Sequence, residues 1–148
     1  MQAKRIVCPI DFSEASRAAL DVASNLARED GSKVFIVHVE EVSSATHPGL
    51  FGVGPLASPN LRDKLNATLP TATEVQFEHY LLIGDPVDRI VEFVKERDAD
   101  LIVMGTHGIT GVARLLMGSV AAGVIRRSPV PVLTLKATAN ALTETNAT

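Results

Sequence analysis

The most informative part of the sequence is an apolar run that leads through a glycine-rich segment into a helical pattern: Leu101-Ile-Val-Met-Gly-Thr-His-Gly-Ile-Thr-Gly-Val-Ala-Arg-Leu-Leu-Met-Gly-Ser119. Leu101–Met104 is a continuous apolar run, which is typical of a strand buried on both faces. Ser119–Arg127 carries apolar residues at helical spacing. A buried strand followed by a helix favours an α/β protein, in which strands and helices alternate along the chain.

Outward from this stretch, apolar runs and helical patterns alternate along the whole chain. The predicted strands are Arg5–Ile10, Lys33–Val39, Glu74–Ile83, Leu101–Met104 and Val130–Leu135. One helix is expected from an N-cap at Ser13 to a stop at Gly31, a second begins at Pro86, a third spans Ser119–Arg127, and Asn60–Leu69 is a candidate short helix. This alternation predicts right-handed βαβ units and a parallel sheet.

Two strands carry the features of sheet edges. The third alternates, with Val75, Phe77, Leu81 and Ile83 on one face and Glu74, Gln76 and Glu78 on the other. The fifth contains Pro131, which cannot donate a ladder hydrogen bond. The flavodoxin-like order would place strand two at an edge, yet strand two is continuously apolar. We therefore expect a single doubly wound, five-stranded parallel α/β sheet in the order 3-2-1-4-5, with helices on both faces.

Composition and charge narrow the class of protein. The 148 residues suit one domain, expected over residues 1–136, with a disordered tail over residues 137–148. The single cysteine, Cys8, has apolar neighbours and is expected to be a buried, inert thiol. The net charge of −3 without a long basic segment disfavours nucleic acid as a partner. No run approaches the ~20 apolar residues of a membrane span, and the start does not resemble a signal peptide, so a cytoplasmic location is expected while a membrane-protein partner remains open.

The glycine-rich stretch from Gly105 to Ser119 is a candidate phosphate-binding segment. Glycines let the backbone approach a bulky anion, and the first N–H groups of a helix have no internal partners and attract negative charge. The stretch matches neither the Walker pattern nor Gly-x-Gly-x-x-Gly after the first strand. The alternative is that the glycines only form a turn and Ser119 only caps its helix.

Asp11 is the second candidate. It follows the first strand as Gly105 follows the fourth, and if these strands are neighbours the switch point of the sheet lies between them. A carboxylate there can accept hydrogen bonds from ribose hydroxyls. The alternative is that Asp11 caps the following helix, in competition with Ser13.

The other polar candidates are weaker. His38 lies in an apolar strand and is expected to be a hydrogen-bonded core residue, whereas His107 and Arg114 lie in the glycine stretch and either contact phosphate or face solvent. Glu40 and its neighbour Glu41 are expected to be a solvated pair. No paired carboxylates or activated nucleophile are recognisable, so no catalytic residue is assigned.

These residues together resemble one family. Gly105-x-x-Gly108, nine residues and Gly118-Ser119 resemble the Gly-2x-Gly-9x-Gly-Ser/Thr signature of the ATP-binding branch of the universal stress proteins. Val7-Cys-Pro-Ile-Asp-Phe-Ser13 and Val37-His-Val39 resemble that family's first strand and turn and the end of its second strand. The resemblance extends from residue 3 to about residue 136.

The resemblance implies an adenine nucleotide α-hydrolase-like fold with the strand order 3-2-1-4-5. It implies that Asp11 holds the ribose and that Val39 meets adenine through its backbone. The other nucleotide contacts it implies are Pro9, Met104, Gly105, Gly108, Gly118, Ser119 and Val120. The expected ligand is ATP, or else ADP or AMP, with Mg²⁺ neutralising phosphate charge. Members are usually homodimers that pair their last strands, here Val130–Leu135.

Three functions remain open at this point. The first is a regulatory sensor that binds ATP and signals through its homodimer. The second is a stress protein that binds no nucleotide and acts by protein interaction, which the intact glycine signature disfavours. The third is a slow ATPase, for which no catalytic base is evident. The segment Glu40–Leu69 matches the family poorly and is a candidate wall of the adenine pocket.

Overall fold

The computed structural model describes residues 4–41, 59–106 and 117–136. In chain order the elements are β1 (Arg5–Pro9), α1 (Glu14–Asp30), β2 (Lys33–Glu40), α2 (Pro59–Asn66), β3 (Gln76–Ile83), α3 (Pro86–Glu96), β4 (Leu101–Gly105), α4 (Ser119–Arg127) and β5 (Val132–Leu135). The five strands form one sheet in the order β3-β2-β1-β4-β5. All four strand pairs are parallel, so the predicted topology is confirmed.

The sheet separates two apolar layers. On one face, α1 and α2 pack on the sheet; the buried residues of this layer include Ile6, Cys8, Ala19, Leu20, Ala23, Val34, Ile36, Leu65 and Val103. On the other face, α3 and α4 pack on the sheet, with Val7, Phe35, Val37, Ile90, Phe93, Val94, Ile102, Met104, Ala121 and Val124 buried. Helices therefore cover both faces, as the continuous apolar strands β1, β2 and β4 predict.

The helix ends follow the predicted signals closely. The Ser13 side chain accepts a hydrogen bond from the Ser16 N–H at the start of α1, and Gly31 ends that helix in the left-handed region at φ 73°. Pro86 occupies the first turn of α3 behind an Asp85 N-cap, which accepts from the Asp88 N–H. These caps satisfy backbone groups that a helix leaves without internal partners.

Some predicted boundaries and faces are wrong. Strand β5 begins at Val132 rather than Val130, because Pro131 lies before the ladder instead of within it. Strand β3 begins at Gln76 rather than Glu74, which has a left-handed φ of 64°. Helix α2 ends at Asn66, before the predicted Leu69.

The predicted apolar face of β3 is also only partly buried. Phe77 and Ile83 are each 38% exposed, while Tyr80 and Leu82 on the opposite face pack against the second layer. The reason is that β3 is an edge strand, so α2 covers only part of one face and α3 reaches the other.

Two glycines mark places where elements approach too closely for a side chain. A Cβ on Gly105 would lie 2.7 Å from the Ala15 Cβ and 2.8 Å from the Ala15 carbonyl carbon, so the end of β4 touches the first turn of α1. A Cβ on Gly123 would lie 2.7 Å from a Val87 methyl carbon, so α4 crosses α3 at this point. Close packing therefore explains the glycine inside α4, which otherwise costs about 1 kcal/mol relative to alanine.

None of the helices in the described ranges has the length and apolar character needed to cross a membrane.

Candidate functional site

The candidate site lies at the carboxyl edge of the sheet. Strand β1 is hydrogen-bonded to β2 on one side and to β4 on the other, so the strand order reverses between β1 and β4. Asp11 follows β1, and Gly105 is the last residue of β4. The structure thus brings the two main sequence candidates to neighbouring strand ends, where open α/β sheets bind ligands.

Asp11 and Ser13 together cap the start of α1. Ser13 is the N-cap, and Asp11 Oδ1 accepts hydrogen bonds from the Ser13 N–H at 3.0 Å and from the Ser13 hydroxyl. Ser16 Oγ in turn accepts a 3.4 Å hydrogen bond from the Asp11 N–H. Helix capping and ribose binding by Asp11 are therefore compatible, because the cap uses one carboxylate oxygen, Oδ1, at the edge of the crevice.

The end of β2 presents backbone groups toward the same crevice. The Val37 carbonyl accepts from the Ile10 N–H on the β1 side, and the Glu40 carbonyl accepts from the Gly84 N–H on the β3 side. Successive residues of a strand point their backbone groups to alternate sides, so those of Val39 point to the β1 side. The last β1 residue in register is Pro9, opposite Val37, so the Val39 groups lie past the last β1–β2 pair of the described residues.

The start of α4 is fixed by Thr106, which sequence analysis did not single out. The Thr106 carbonyl accepts from the Gly118 N–H, and the Thr106 N–H donates to the Leu135 carbonyl at 2.9 Å. Thr106 is only 4% exposed, so a short buried link joins β4, β5 and α4. The only sequence signal for Thr106 is its location between two glycines of the family signature.

The link through Thr106 determines which backbone N–H groups at the start of α4 are available to an anion. Gly118 is the N-cap, with φ −73° and ψ 164°, and its N–H is already committed to Thr106. The first helical bond runs from the Ala122 N–H to the Gly118 carbonyl. The N–H groups of the three residues between them therefore have no partner within the helix, and the exposed Ser119 hydroxyl stands beside them.

The structure shows a packing role for Gly105, which the sequence predicted as a phosphate contact. Its missing side chain is explained by the approach of Ala15 described above, which needs no ligand. Glycine at the end of a strand that meets a helix is a packing requirement. Met104 beside it is 4% exposed and belongs to the second apolar layer, whereas Pro9 on β1 is partly exposed.

His38 is hydrogen-bonded, as predicted, but it is partly exposed at the border of the site and not part of the core. Its Nδ1 atom lies 2.7 Å from the Ile10 carbonyl oxygen, and its ring centroid lies 4.8 Å from that of Phe12. Its contacts are therefore with the two residues that flank Asp11. Glu40, predicted to be solvated, instead has a buried Oε1 atom, which has no hydrogen-bond partner among the residues that the structure describes.

Known proteins with similar sequences and structures share this fold. The universal stress protein family model matches residues 2–136. The chain belongs to this family. Universal stress protein MJ0531 of Methanocaldococcus jannaschii is 37% identical over 139 residues, covering 90% of this chain and 82% of the relative.

Two similar solved structures of universal stress proteins contain adenine nucleotides. One, from Archaeoglobus fulgidus in complex with dAMP, is 28% identical with a TM-score of 0.67 and covers 92% of this chain and 100% of its own. Another, in complex with cAMP, is 28% identical with a TM-score of 0.66 and covers 91% of this chain and 98% of its own. Some universal stress proteins with this fold therefore hold adenine nucleotides.

Several sequence candidates lie outside the described residues. These are the signature glycine Gly108, the weaker phosphate candidates His107 and Arg114, and most of the segment Glu40–Leu69. Within the ranges that are described, no group of three or more His, Cys, Asp or Glu residues could hold a metal ion. Burial raises the pKa of the Cys8 thiol far above its usual value, which agrees with a thiol that stays protonated in the core.

Proposed function

We propose that this universal stress protein binds an adenine nucleotide, ATP with Mg²⁺ in the first place, and acts as a regulatory sensor through a homodimer. The observation that carries the proposal is the start of α4, where three N–H groups without helical partners stand at the same sheet edge as Asp11. A helix N-terminus favours phosphate through its free donors and its dipole. ADP and AMP fit the same argument with fewer phosphates.

The end of β2 is the proposed adenine contact. The Val39 N–H and carbonyl group lie past the last β1–β2 pair of the described residues, one as a donor and the other as an acceptor. Adenine presents the matching pair, an acceptor ring nitrogen next to a donor amino group. Backbone recognition of this kind needs no particular side chain at position 39.

The ribose and phosphates complete the proposed binding mode. Asp11 accepts hydrogen bonds from the ribose hydroxyls, with Pro9 and Met104 beside it at the neighbouring strand ends. Gly118, Ser119 and Val120 contribute the start of α4 to the phosphates, and Gly105 and Gly108 are proposed to leave room for them. Mg²⁺ is proposed to neutralise phosphate charge.

The free edge of β5 is the proposed dimer contact. Among the strands that the structure describes, β5 pairs with β4 alone, so its other edge can offer backbone groups to a second copy. Leu133 on this strand is 39% exposed. Two copies that pair along Val130–Leu135 would cover both features, and Leu133→Lys is expected to shift the sedimentation of the full chain from dimer to monomer.

Location, catalysis and domain extent belong to the same proposal. We place the protein in the cytoplasm and assign it no catalytic residue, so any ATP hydrolysis is expected to be slow. The alternative function, protein interaction without nucleotide, predicts no binding heat for any adenine nucleotide. The domain is proposed to end at residue 136.

Isothermal titration calorimetry of the full chain with Mg-ATP tests the proposal. We expect binding heat with the wild type, and none with Gly118→Val, whose φ and ψ suit any residue while its side chain occupies phosphate space. Ser119→Ala should weaken binding through loss of one hydroxyl, whereas Thr71→Ala, at an exposed hydroxyl before β3, should not. Absence of heat and of a thermal shift with ATP, ADP and AMP would refute the proposal.

Asp11→Ala needs its own control because it also weakens the α1 cap. Ser13→Ala removes the cap but leaves the Asp11 carboxylate, and a lost N-cap costs about 1 kcal/mol of stability. We expect both variants to melt earlier and only Asp11→Ala to lose preference for ATP over 2′,3′-dideoxy-ATP. Equal loss of that preference in both would assign the effect to the cap alone.

A further inference from the structure

His38 ties β2 to the residue that precedes Asp11. Its Nδ1 atom lies 2.7 Å from the Ile10 carbonyl oxygen, and the Ile10 N–H donates to the Val37 carbonyl at 2.7 Å. Both backbone groups of Ile10 are thus held by two consecutive residues of β2. A carbonyl oxygen only accepts, so the hydrogen on this bond belongs to His38 Nδ1.

His38 also contacts the residue that follows Asp11. Phe12 has a φ of 68°, in the left-handed region that is unfavourable for a bulky side chain. Its ring lies 4.8 Å from the His38 ring, centroid to centroid, and the Lys64 Nζ atom lies 4.6 Å from the Phe12 centroid. A strained backbone persists only where its surroundings hold it, and here an imidazole and an ammonium group pack on the aromatic ring.

We infer that His38 is a positioning residue that sets the Asp11 carboxylate for the ribose by holding Ile10 and Phe12 on either side of it. The inference rests on the proposed nucleotide function. Asp11 Oδ1 accepts hydrogen bonds from Ser13. The direction of the whole carboxylate also depends on the position of the backbone that carries it, residues 10–12. His38 contacts that backbone from β2, the same strand whose Val39 is the proposed adenine contact.

Two substitutions at this position separate positioning from packing. His38→Leu fills much of the space but donates no hydrogen bond to Ile10. His38→Asn places an amide nitrogen the same number of bonds from Cβ as Nδ1 and restores the donor. The matched control is His79→Leu on β3, because His79 Nε2 also lies 2.7 Å from a backbone carbonyl oxygen, that of Thr68, but on a strand not adjacent to β1.

The measurement is the ratio of dissociation constants for 2′,3′-dideoxy-ATP and ATP. We expect a wild-type ratio of about tenfold or more, since hydrogen bonds to a charged group are strong. In His38→Leu the ratio should fall to nearly one through weaker ATP binding, while dideoxy-ATP binds as before. His38→Asn should recover most of the ratio, and His79→Leu should leave it unchanged.

The outcomes distinguish this inference from the proposed function. ATP binding by wild type with an unchanged ratio in His38→Leu would overturn the positioning role and leave nucleotide binding intact. A ratio lost equally in His79→Leu would also overturn it, because any lost histidine contact would then suffice. If the wild type binds no adenine nucleotide, the proposed function fails and the inference fails with it. If His38→Leu does not fold, His38→Phe makes the same comparison, since it keeps an aromatic ring against Phe12 without a donor.

Discussion

Replacing Gly105 with alanine should damage the fold at a position that the signature assigns to phosphate. The added Cβ would lie 2.7 Å from the Ala15 Cβ and 2.8 Å from the Ala15 carbonyl carbon. Neither atom can move by a side-chain rotation, so the first turn of α1 must shift away from β4. Overpacking of this kind costs about 1–3 kcal/mol.

The unfolded state offsets part of this cost. Gly→Ala lowers the conformational entropy of the unfolded chain, which is worth about 0.4–1 kcal/mol where the native backbone allows alanine. With mid-range values of about 2 kcal/mol for overpacking and about 0.7 kcal/mol for the unfolded chain, a net loss of about 1 kcal/mol remains, and for a chain of this size it lowers the melting temperature by about 2–4 °C. Urea unfolding followed by circular dichroism, without nucleotide, measures the loss directly.

Two further variants make the result specific. Ala15→Gly in the Gly105→Ala background removes the closest contact but leaves the 2.8 Å backbone contact, so recovery should be partial. Gly118→Ala should lose less stability than Gly105→Ala, because Gly118 has ordinary dihedral angles at the helix N-cap. If Gly105→Ala unfolds at the wild-type urea concentration, the packing explanation is refuted.

Three more predictions follow from contacts elsewhere in the fold. Gly123→Ala should lower the free energy of unfolding by about 1–3 kcal/mol despite its better helix propensity, and Val87→Ala should reduce that loss; equal losses in both backgrounds would contradict the 2.7 Å contact. The hydrogen bond to Glu78, and to a lesser extent burial, raises the pKa of the Tyr80 hydroxyl in the folded protein. Tyr80 therefore stabilises the fold at pH values below its unfolded pKa, and this stabilisation is lost as the pH rises through its folded pKa. Tyr80 is the sole tyrosine, so the ultraviolet absorbance of its phenolate reports the titration alone, and Glu78→Gln should move it to lower pH; an unmoved titration would remove Glu78 as the cause. The Cys8 thiol should resist alkylation in the native protein and react after unfolding, and rapid native labelling would contradict its 0% exposure.

The sheet order was predictable because composition separates the strands. The continuous apolar runs of β1, β2 and β4 require cover on both faces, which places them centrally. Pro131 also predicted an edge position for the last strand, although it lies just before β5 and not within it. The caps at Ser13 and Gly31 and the helix start at Pro86 are local, so they are visible in the sequence. For the site, the same local logic placed Asp11 and the start of α4 at one edge of the sheet.

The remaining features depend on contacts between distant parts of the chain. Gly105 belongs to the glycine signature by spacing, and only the approach of α1 shows that packing needs it. The Thr106 link to Leu135 and Gly118, and the His38 contacts on both sides of Asp11, likewise join separate elements. The exposure of Phe77 depends on how far α2 extends along β3, and the alternation of residues within β3 does not contain that information.

Amide chemical-shift mapping of the full chain with Mg-ATP tests most directly whether a nucleotide binds at this sheet edge. We predict saturable shifts at residues 10–13 after β1, at Val39 and Glu40, at Thr106, and at residues 118–121 at the start of α4. Residues at the opposite edge, such as Lys33 and Gln76, should not respond. Unchanged spectra at millimolar ATP, or shifts confined to that opposite edge, would contradict the account.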